Sequence, residues 1–318
     1  MRRMVVDETA ALGGLDERAE TTPSVEVPQA SLGAKARAYF ALTKPRIIEL
    51  LLVTTVPAMI VAERGMPSVT LMLATVLGGA LGAGGANAIN CYLDRDIDEV
   101  MPRTRRRPLP QHRIEPANAL VFGALLGLIS FVFMWATINL LSAALTLSAL
   151  LFYVFVYTAG MKRATPQNIV IGGAAGAVPA LVGWSAVTGT VELPALAMFA
   201  IIFYWTPPHF WALAMRYEKE YAAAGVPMMP VVYGREETAK HIVLYSFLMF
   251  AMCLALFGVG RLGAIYLVTA LVLNAVFIGM AIRLWKEPKV RIAWDLFRFS
   301  IYYLGLLFTA MAVDSLVA

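Results

Sequence analysis

Charged residues are scarce in this chain. They make up 15% of its 318 residues, against about a quarter in an ordinary soluble domain, while apolar residues make up 59%. This balance excludes an ordinary soluble protein and is typical of a membrane protein. Cysteine is also rare: Cys91 and Cys253 both lie in apolar runs, which excludes a disulfide framework.

The N-terminal segment lacks the long apolar runs found in the rest of the chain. Residues 1–42 carry six acidic side chains together with Pro23 and Pro28. A signal peptide needs an apolar central run and a transit peptide is poor in acids, so neither fits. We therefore predict a disordered cytoplasmic tail over residues 1–42 and a single membrane domain over residues 43–318.

Nine apolar runs follow the tail, each near the ~20 residues that a spanning helix needs. They predict an all-α membrane protein with nine transmembrane helices, because in lipid every backbone N–H and C=O must be hydrogen-bonded within the protein, as it is in a helix. The runs are Ile47–Ala62, Val69–Leu93, Ala117–Thr137, Leu140–Thr158, Ile169–Val187, Leu193–Met215, Ile242–Val259, Leu262–Leu284 and Phe297–Val317.

The basic residues predict the orientation of these helices. The formal net charge is +5, but the basic residues fall between apolar runs, which argues against nucleic-acid binding. All lysines and arginines except Arg64 and Arg261 lie in the tail, in the short segment before the first helix, or around the connections after even-numbered helices. The positive-inside rule then places the N-terminus and these longer connections in the cytoplasm and the C-terminus outside. Because long connections tend to carry function, we expect the active site at the cytoplasmic face.

A cluster of acids follows the second apolar run. Asn90, Asp94 and Asp98 are spaced i, i+4, i+8, so they lie along one helix face, with Asn87 one turn earlier and Asp96 pointing elsewhere. Like charges one turn apart repel each other, and a shared cation would relieve that repulsion. Carboxylate and amide oxygens suit Mg²⁺, which completes its coordination shell with substrate phosphates.

Four arginines come directly after these acids. Guanidinium groups bind phosphate through two hydrogen bonds, so acids that hold a metal, followed by arginines, indicate a diphosphate-binding site. An ordinary solvated loop is the alternative, with arginines that serve topology and acids that balance them. The arginines are Arg103, Arg105, Arg106 and Arg107.

A second polar cluster begins inside the sixth apolar run and continues beyond it. His209 sits among aromatic residues at membrane depth, where polar side chains are costly and often functional. Glu218, Lys219 and Glu220 then offer a further metal or phosphate contact, or simply form the solvated end of a helix. Lys162 and Arg163, after the fourth run, offer another cationic contact, although topology alone also explains them.

Three long strings carry a resemblance: NCYLDRDIDEVMPRTRRRPLP, KRATPQNIVIGGAAGAVPALVGW and TPPHFWALAMRYEKEYAAAGVPMMPVV. In this order and on one predicted face they resemble the UbiA superfamily of intramembrane prenyltransferases, over about Leu42 to the C-terminus. Its signature N-x-x-x-D-x-x-x-D is matched by Asn90, Asp94 and Asp98. The strings are most similar to the branch that farnesylates protohaem IX (haem B). Many members carry a second aspartate-rich motif, whereas here only Glu218 and Glu220 follow His209, a lack that this branch shares.

The resemblance implies nine helices around a central cavity and a Mg²⁺-dependent transfer of farnesyl from farnesyl diphosphate to a haem vinyl group. It implies a bacterial inner-membrane location, with haem B as a substrate and a haem A synthase acting downstream. The implied roles are catalysis by Asn90, Asp94 and Asp98, diphosphate binding by Arg103, Arg107, Lys162 and Lys219, haem binding by His209 and Arg163, and Mg²⁺ binding by Asp94, Asp98, Asn90 and Glu220.

Two alternatives stay open at this point. The first is a prenyltransferase of the same superfamily that acts on an aromatic or quinone-precursor acceptor. The second is a cation-coupled transporter whose acids bind the transported ion. Transporters often contain inverted repeats and helices broken near the midplane, whereas here the acids cluster at the predicted cytoplasmic ends.

Overall fold

The computed structural model describes residues 31–317, apart from the side chains of residues 46–52, and all regular elements in this range are helical. The helices are α1 (Leu32–Leu42), α2 (Pro45–Glu63), α3 (Val69–Leu93), α4 (Arg95–Val100), α5 (Pro116–Thr137), α6 (Leu140–Met161), α7 (Asn168–Thr188), α8 (Leu193–Arg216), α9 (Glu218–Ala223), α10 (Met229–Gly260), α11 (Ala264–Lys286) and α12 (Val290–Val317). The predicted all-α membrane fold is confirmed.

Local sequence signals explain where many of these helices begin. Proline occupies the first turn of α2, α5, α8 and α10, where its missing N–H costs nothing and its fixed φ suits the helix. Ser68 caps α3 by accepting a hydrogen bond from Leu71 N, and Asn139 caps α6 in the same way through Ser142 N. The short α5–α6 connection is therefore well defined despite having almost no loop.

Eight helices of the described part are long and apolar enough to cross a membrane: α3, α5, α6, α7, α8, α10, α11 and α12. They correspond to eight of the nine predicted runs. The remaining run lies in α2, which has 19 residues and a described apolar part at Val53–Glu63. The chain is thus a multi-pass membrane protein whose helix count is close to the predicted nine.

The predicted boundary of the tail differs from the structure. Residues Leu32–Leu42 form α1, capped by Ser31, rather than a disordered segment. The helix forms because Ala38 and Leu42 are buried in a small cluster with Cys91 of α3, which offsets the entropy lost on ordering the segment. The prediction of disorder for residues 1–30 concerns residues outside the described range.

Helix α6 changes its winding halfway along. Leu140–Leu151 is α-helical, whereas Phe152–Met161 is π-helical, and Lys162 N donates to Tyr157 O five residues earlier at 2.8 Å. π-Helical turns are rare and often occur at functional sites. Here the altered winding places Tyr153, Tyr157 and Lys162 along one wall of a cavity.

A cavity of about 750 Å³ lies between α2, α3, α6, α7, α8 and α12. Small residues let the helices beside it approach closely. A Cβ added to Gly85 of α3 would lie 2.7 Å from the Gly123 carbonyl oxygen of α5. On the far side, the largest core cluster packs α8, α10, α11 and α12 around Trp211, Tyr266 and Tyr303. Helices α8 and α12 of this cluster also line the cavity, so the core supports one of its walls.

Candidate active site

Three polar side chains at one end of the cavity come from the α3–α4 junction. Asn90, Asp94 and Asp98 line the cavity and are each at most 3% exposed. Helix α3 ends at Leu93 and Asp94 departs from helical geometry (φ −93°, ψ 5°). However, Asp94 N donates to Asn90 O and Asp98 N to Asp94 O, both at 2.9 Å. The i, i−4 pattern therefore crosses the break, and the three side chains share one side as their spacing predicts.

Asp94 lies at the centre of this group. Its Oδ2 accepts hydrogen bonds from Asn90 Nδ2 at 2.7 Å and Lys162 Nζ at 2.5 Å. Its Oδ1 accepts no hydrogen bond although it is buried, and Arg163 Nη2 is 3.9 Å away. A buried carboxylate oxygen without a donor is costly unless something binds it.

Asp98 is held by one of the predicted arginines. Arg107 Nη1 donates to both carboxylate oxygens of Asp98, at 2.9 and 2.7 Å. Burial alone would lower the pKa of Arg107, but the adjacent Asp98 carboxylate holds that pKa above its ordinary value. The guanidinium is therefore a permanent cation at the cavity wall.

Lys44 also lies at this end, although it was absent from the predicted site. Its Nζ donates to Asn90 Oδ1 at 2.6 Å, and Asn87 Nδ2 donates to the neighbouring Thr43 O at 2.9 Å. Lys44 precedes Pro45 in a left-handed conformation (φ 53°), which turns the chain back towards α3. Burial lowers the pKa of Lys44. The sequence did contain a feature that could have pointed to Lys44, namely a lysine directly before the proline that begins a membrane span.

Arg103 connects the cavity to α9. Its Nη2 donates to Tyr221 Oη at 2.9 Å, and its guanidinium lies 5.1 Å from the centre of the Tyr221 ring. Glu220 Oε2 is 3.8 Å from Arg103 Nε. Glu220 and Lys219 do not line the cavity, and Lys219 is exposed. The structure thus brings Arg103 to the cavity but not the predicted diphosphate contact Lys219, which is turned to solvent. The predicted metal ligand Glu220 does not line the cavity either, but its Oε2 is buried beside Arg103 and has no hydrogen-bond partner.

Asp96 and Arg163 form a separate pair outside the cavity. Arg163 donates to both Asp96 oxygens, at 2.6 and 2.7 Å, and to Leu93 O at 3.0 Å. The hydrogen bonds from Arg163 lower the pKa of Asp96 to about 2. The prediction that Asp96 points away from the acidic cluster agrees with this placement. Arg163, predicted to bind haem, is instead engaged with Asp96 and does not line the cavity.

The rest of the cavity is apolar and aromatic. Its walls come from α3, α7, α8 and α12 and include Val76, Val178, Val182, Ile301 and Leu304. His209 lines the same cavity, is buried, and contacts Ser300 through Nδ1 at 2.6 Å. The predicted site residues that line the cavity therefore form two groups. Most lie at the charged end, and His209 lies in the apolar wall.

The charged end fits a divalent cation with oxygen ligands. Two carboxylates and one amide converge there, and Asp94 Oδ1 is a buried acceptor without a donor. Within residues 31–317, no three His, Cys, Asp or Glu side chains form a metal-binding group. A metal here would therefore need oxygens from another source, as Mg²⁺ does when it binds a phosphate ligand.

Sequence relatives point to one family. Residues 51–305 match the profile of the UbiA prenyltransferase family. A protoheme IX farnesyltransferase from Parafrankia sp. (strain EAN1pec) is 54% identical over 287 residues, or 89% of this chain and 91% of that protein. Proteins of the same name from Frankia alni and Nocardia farcinica are 53% and 54% identical, over 90% and 88% of this chain and 100% and 90% of their own lengths.

Solved structures share the fold at low sequence identity. The structure of digeranylgeranylglyceryl phosphate synthase superposes with a TM-score of 0.75 at 19% identity, covering 89% of this chain and 99% of that one. A UbiA homolog from Archaeoglobus fulgidus bound to DMAPP and Mg²⁺ superposes with a TM-score of 0.63 at 19% identity, covering 86% and 99%.

Proposed function

The chain belongs to the UbiA prenyltransferase family, and we propose that it transfers the farnesyl group of farnesyl diphosphate to a vinyl group of protohaem IX (haem B), forming haem O. The observation that carries the proposal is the name shared by the relatives described above, of which the chain spans at least 90% each. The cavity supports it, because one end is charged and the remainder is apolar, as in a prenyl diphosphate.

The diphosphate belongs at the charged end. Lys162, Arg107 and Arg103 line the cavity there and supply donors for phosphate oxygens. Lys44 lines the same end and donates to Asn90. The farnesyl chain belongs against the apolar walls, where its burial is favourable by about 0.8 kcal/mol for each CH₂ group. Lys219 is excluded from this set by its exposure outside the cavity.

Mg²⁺ is the metal that suits the donor set, with Asp94 and Asp98 as ligands and Asn90 as the orienting amide. When bound, the ion neutralises charge on the leaving diphosphate and so lowers the barrier to ionisation. Glu220 does not line the cavity, but its buried Oε2 beside Arg103 has no hydrogen-bond partner, so Glu220 remains the candidate for a further metal ligand.

Residues of the chain contribute to successive steps of the proposed reaction. As the allylic C–O bond breaks, its electron pair goes to the diphosphate, and the donors of Arg107, Arg103 and Lys162 stabilise the charge that develops there. Tyr153 and Tyr157 line the same cavity, and aromatic rings stabilise a nearby cation such as the allylic one. The haem vinyl group supplies the electron pair for the new C–C bond. Water then adds to the resulting cation and loses a proton, giving the hydroxylated side chain.

The test is a product assay on purified protein in detergent with farnesyl diphosphate and Mg²⁺. We expect mass spectrometry to detect farnesylated, hydroxylated haem with haem B, no product with 4-hydroxybenzoate, and no haem product with Asp94→Asn. Turnover without an ion gradient would also exclude the transporter alternative. Farnesylation of 4-hydroxybenzoate but not of haem B, by folded protein, would refute the proposed acceptor.

We further propose that the protein lies in the bacterial inner membrane with its N-terminus and charged cavity end towards the cytoplasm and its C-terminus on the opposite side. The distribution of basic residues supports this orientation. Single cysteines placed at Arg105 and at Arg64 in a background without Cys91 and Cys253 would test it, since only the first should react with thiol reagents from the cytoplasmic side. The product would serve a haem A synthase, the proposed downstream partner.

A further inference from the structure

His209 is fixed on both faces of its ring. Trp205, one turn earlier in α8, stacks on the imidazole with ring centres 4.3 Å apart and planes 19° apart. Phe297 of α12 lies on it at 4.7 Å and 33°. Trp205 Nε1 also donates to Ser300 O at 2.9 Å, which ties α8 to the same turn of α12. The imidazole therefore has little freedom to rotate.

Ser300 determines which nitrogen of this ring carries the proton. The hydroxyl of Ser300 donates to Phe297 O at 2.7 Å, and a backbone carbonyl can only accept. The single hydroxyl hydrogen is thus used, so Ser300 Oγ must accept in its 2.6 Å contact with His209 Nδ1. The proton lies on Nδ1, and the lone pair of the neutral ring lies on Nε2.

Nε2 is left available at the cavity. Among the described side chains, which leave out those of residues 46–52, no hydrogen-bond or ion-pair partner contacts this atom, and it is not among their fully enclosed unpartnered atoms. The cavity that His209 lines is bordered here by Phe210, Ile301 and Leu304. A nitrogen lone pair that is left unpartnered at the cavity suits a ligand with one electron-pair acceptor.

We propose that Ser300 is a positioning residue that holds His209 as the Nδ1–H tautomer, so that Nε2 becomes an axial ligand of the iron in a bound iron porphyrin. This inference rests on the proposed function, in which haem B is the acceptor. Histidines that bind metals usually donate their other ring N–H to an acceptor that fixes the tautomer and orientation. The geometry assigns that role to Ser300.

The test measures iron coordination directly. Haem B is titrated into full-length protein in detergent and followed by Soret absorption and by electron paramagnetic resonance. We expect a histidine-ligated spectrum in wild type and its loss in His209→Ala. Ser300→Ala should weaken haem affinity by about 10-fold or more and change the spectrum. Ser246→Ala removes an equally buried hydroxyl that donates to Ile242 O on α10, and His241→Ala removes a histidine outside the cavity. Both controls should keep the wild-type spectrum.

A rescue experiment separates ligation from packing. In His209→Gly, added imidazole should restore the histidine-type spectrum, because it supplies the missing lone pair to the same iron. An unchanged spectrum in His209→Ala, or the same change in Ser246→Ala as in Ser300→Ala, would overturn the inference. If wild type forms farnesylated haem while His209→Ala keeps the wild-type spectrum, the ligand assignment fails but the proposed function stands. If wild type binds haem through His209 but forms no farnesylated haem, the function fails instead.

Discussion

Replacement of Lys162 by methionine tests whether the charged end of the cavity is a coupled ion pair. Methionine keeps most of the length of the side chain but removes the donor to Asp94. Asp94 is 1% exposed and would keep a hydrogen bond from Asn90 at 2.7 Å and the distant Arg163 at 3.9 Å. Breaking a fully buried pair costs about 3–5 kcal/mol. The Lys162 side chain is 16% exposed, so water offsets part of this, and we expect a loss of about 2–3 kcal/mol.

A double variant tests whether the stability loss comes from the unpaired Asp94 carboxylate. Asp94→Asn in the Lys162→Met background removes the buried carboxylate that Lys162→Met leaves unpaired, so the free energy of unfolding should recover by about 2 kcal/mol relative to Lys162→Met alone. Turnover should not recover, because the metal ligand and the diphosphate donor are both gone. We expect each single variant and the double variant to lose about 100-fold or more in turnover.

Equilibrium unfolding in mixed detergent micelles measures the stability part, and mass spectrometry of haem measures turnover. Lys286→Met is the matched control, since Lys286 is an exposed lysine in the last turn of α11. It should change the free energy of unfolding by less than about 0.5 kcal/mol. If the two site substitutions prove additive in stability, Asp94 and Lys162 are not coupled and the account of this site is refuted.

Removal of divalent ions with EDTA should abolish haem farnesylation and Mg²⁺ should restore it; residual turnover in EDTA would contradict a metal-dependent ionisation. Asp96→Asn should lower the free energy of unfolding at pH 7 by less than about 1 kcal/mol, because the Asp96–Arg163 pair is largely exposed. Since the folded pKa of Asp96 is about 2 and its ordinary value is 3.8, this stabilisation is complete above about pH 5 and should fade as the pH falls from about 4 to 2; a difference that persists at pH 2 would count against it. Gly85→Ala should destabilise the protein by about 1–3 kcal/mol and lower turnover, because its Cβ would lie 2.7 Å from Gly123 O. Gly279→Ala, with nothing within 4 Å of the added Cβ, should do neither, as unfolding and product assays on both would show.

The acidic cluster could be read from the sequence because its geometry is local. Asn90, Asp94 and Asp98 are related by helical spacing, and even the break at Asp94 preserves the i, i−4 hydrogen bonds that keep them on one side. The apolar runs were equally readable, since eight of them correspond to helices suited to cross a membrane. Local periodicity therefore predicts both the fold class and the first half of the site.

The partners of these acids depend on contacts far apart in the chain. Lys44 lies 46 residues from Asn90 and Lys162 lies 68 residues from Asp94, and no local pattern specifies such distances. In the sequence, nothing distinguished Arg163 and Lys219 from the basic residues that line the cavity. The π-helical winding before Lys162 and the short α9, which contains Lys219, decide which basic side chains turn inward. Winding and helix length in turn depend on packing against other helices.

The pairing of the acids also indicates how the site must change when it is occupied. Both oxygens of Asp98 and one of Asp94 already accept hydrogen bonds from cationic side chains. A diphosphate and a divalent cation at this end would compete for the same groups, with phosphate oxygens taking Arg107 and Lys162 and the metal taking the carboxylates. Since the incoming ions carry opposite charges, this exchange of partners buries little additional net charge. Before the ligands bind, each buried carboxylate must already be paired with a cationic side chain, because an unpaired buried acid would destabilise the empty site. The arginines and lysines therefore serve the free protein as well as the reaction, which explains why acids and bases lie so close together in a chain with few charges.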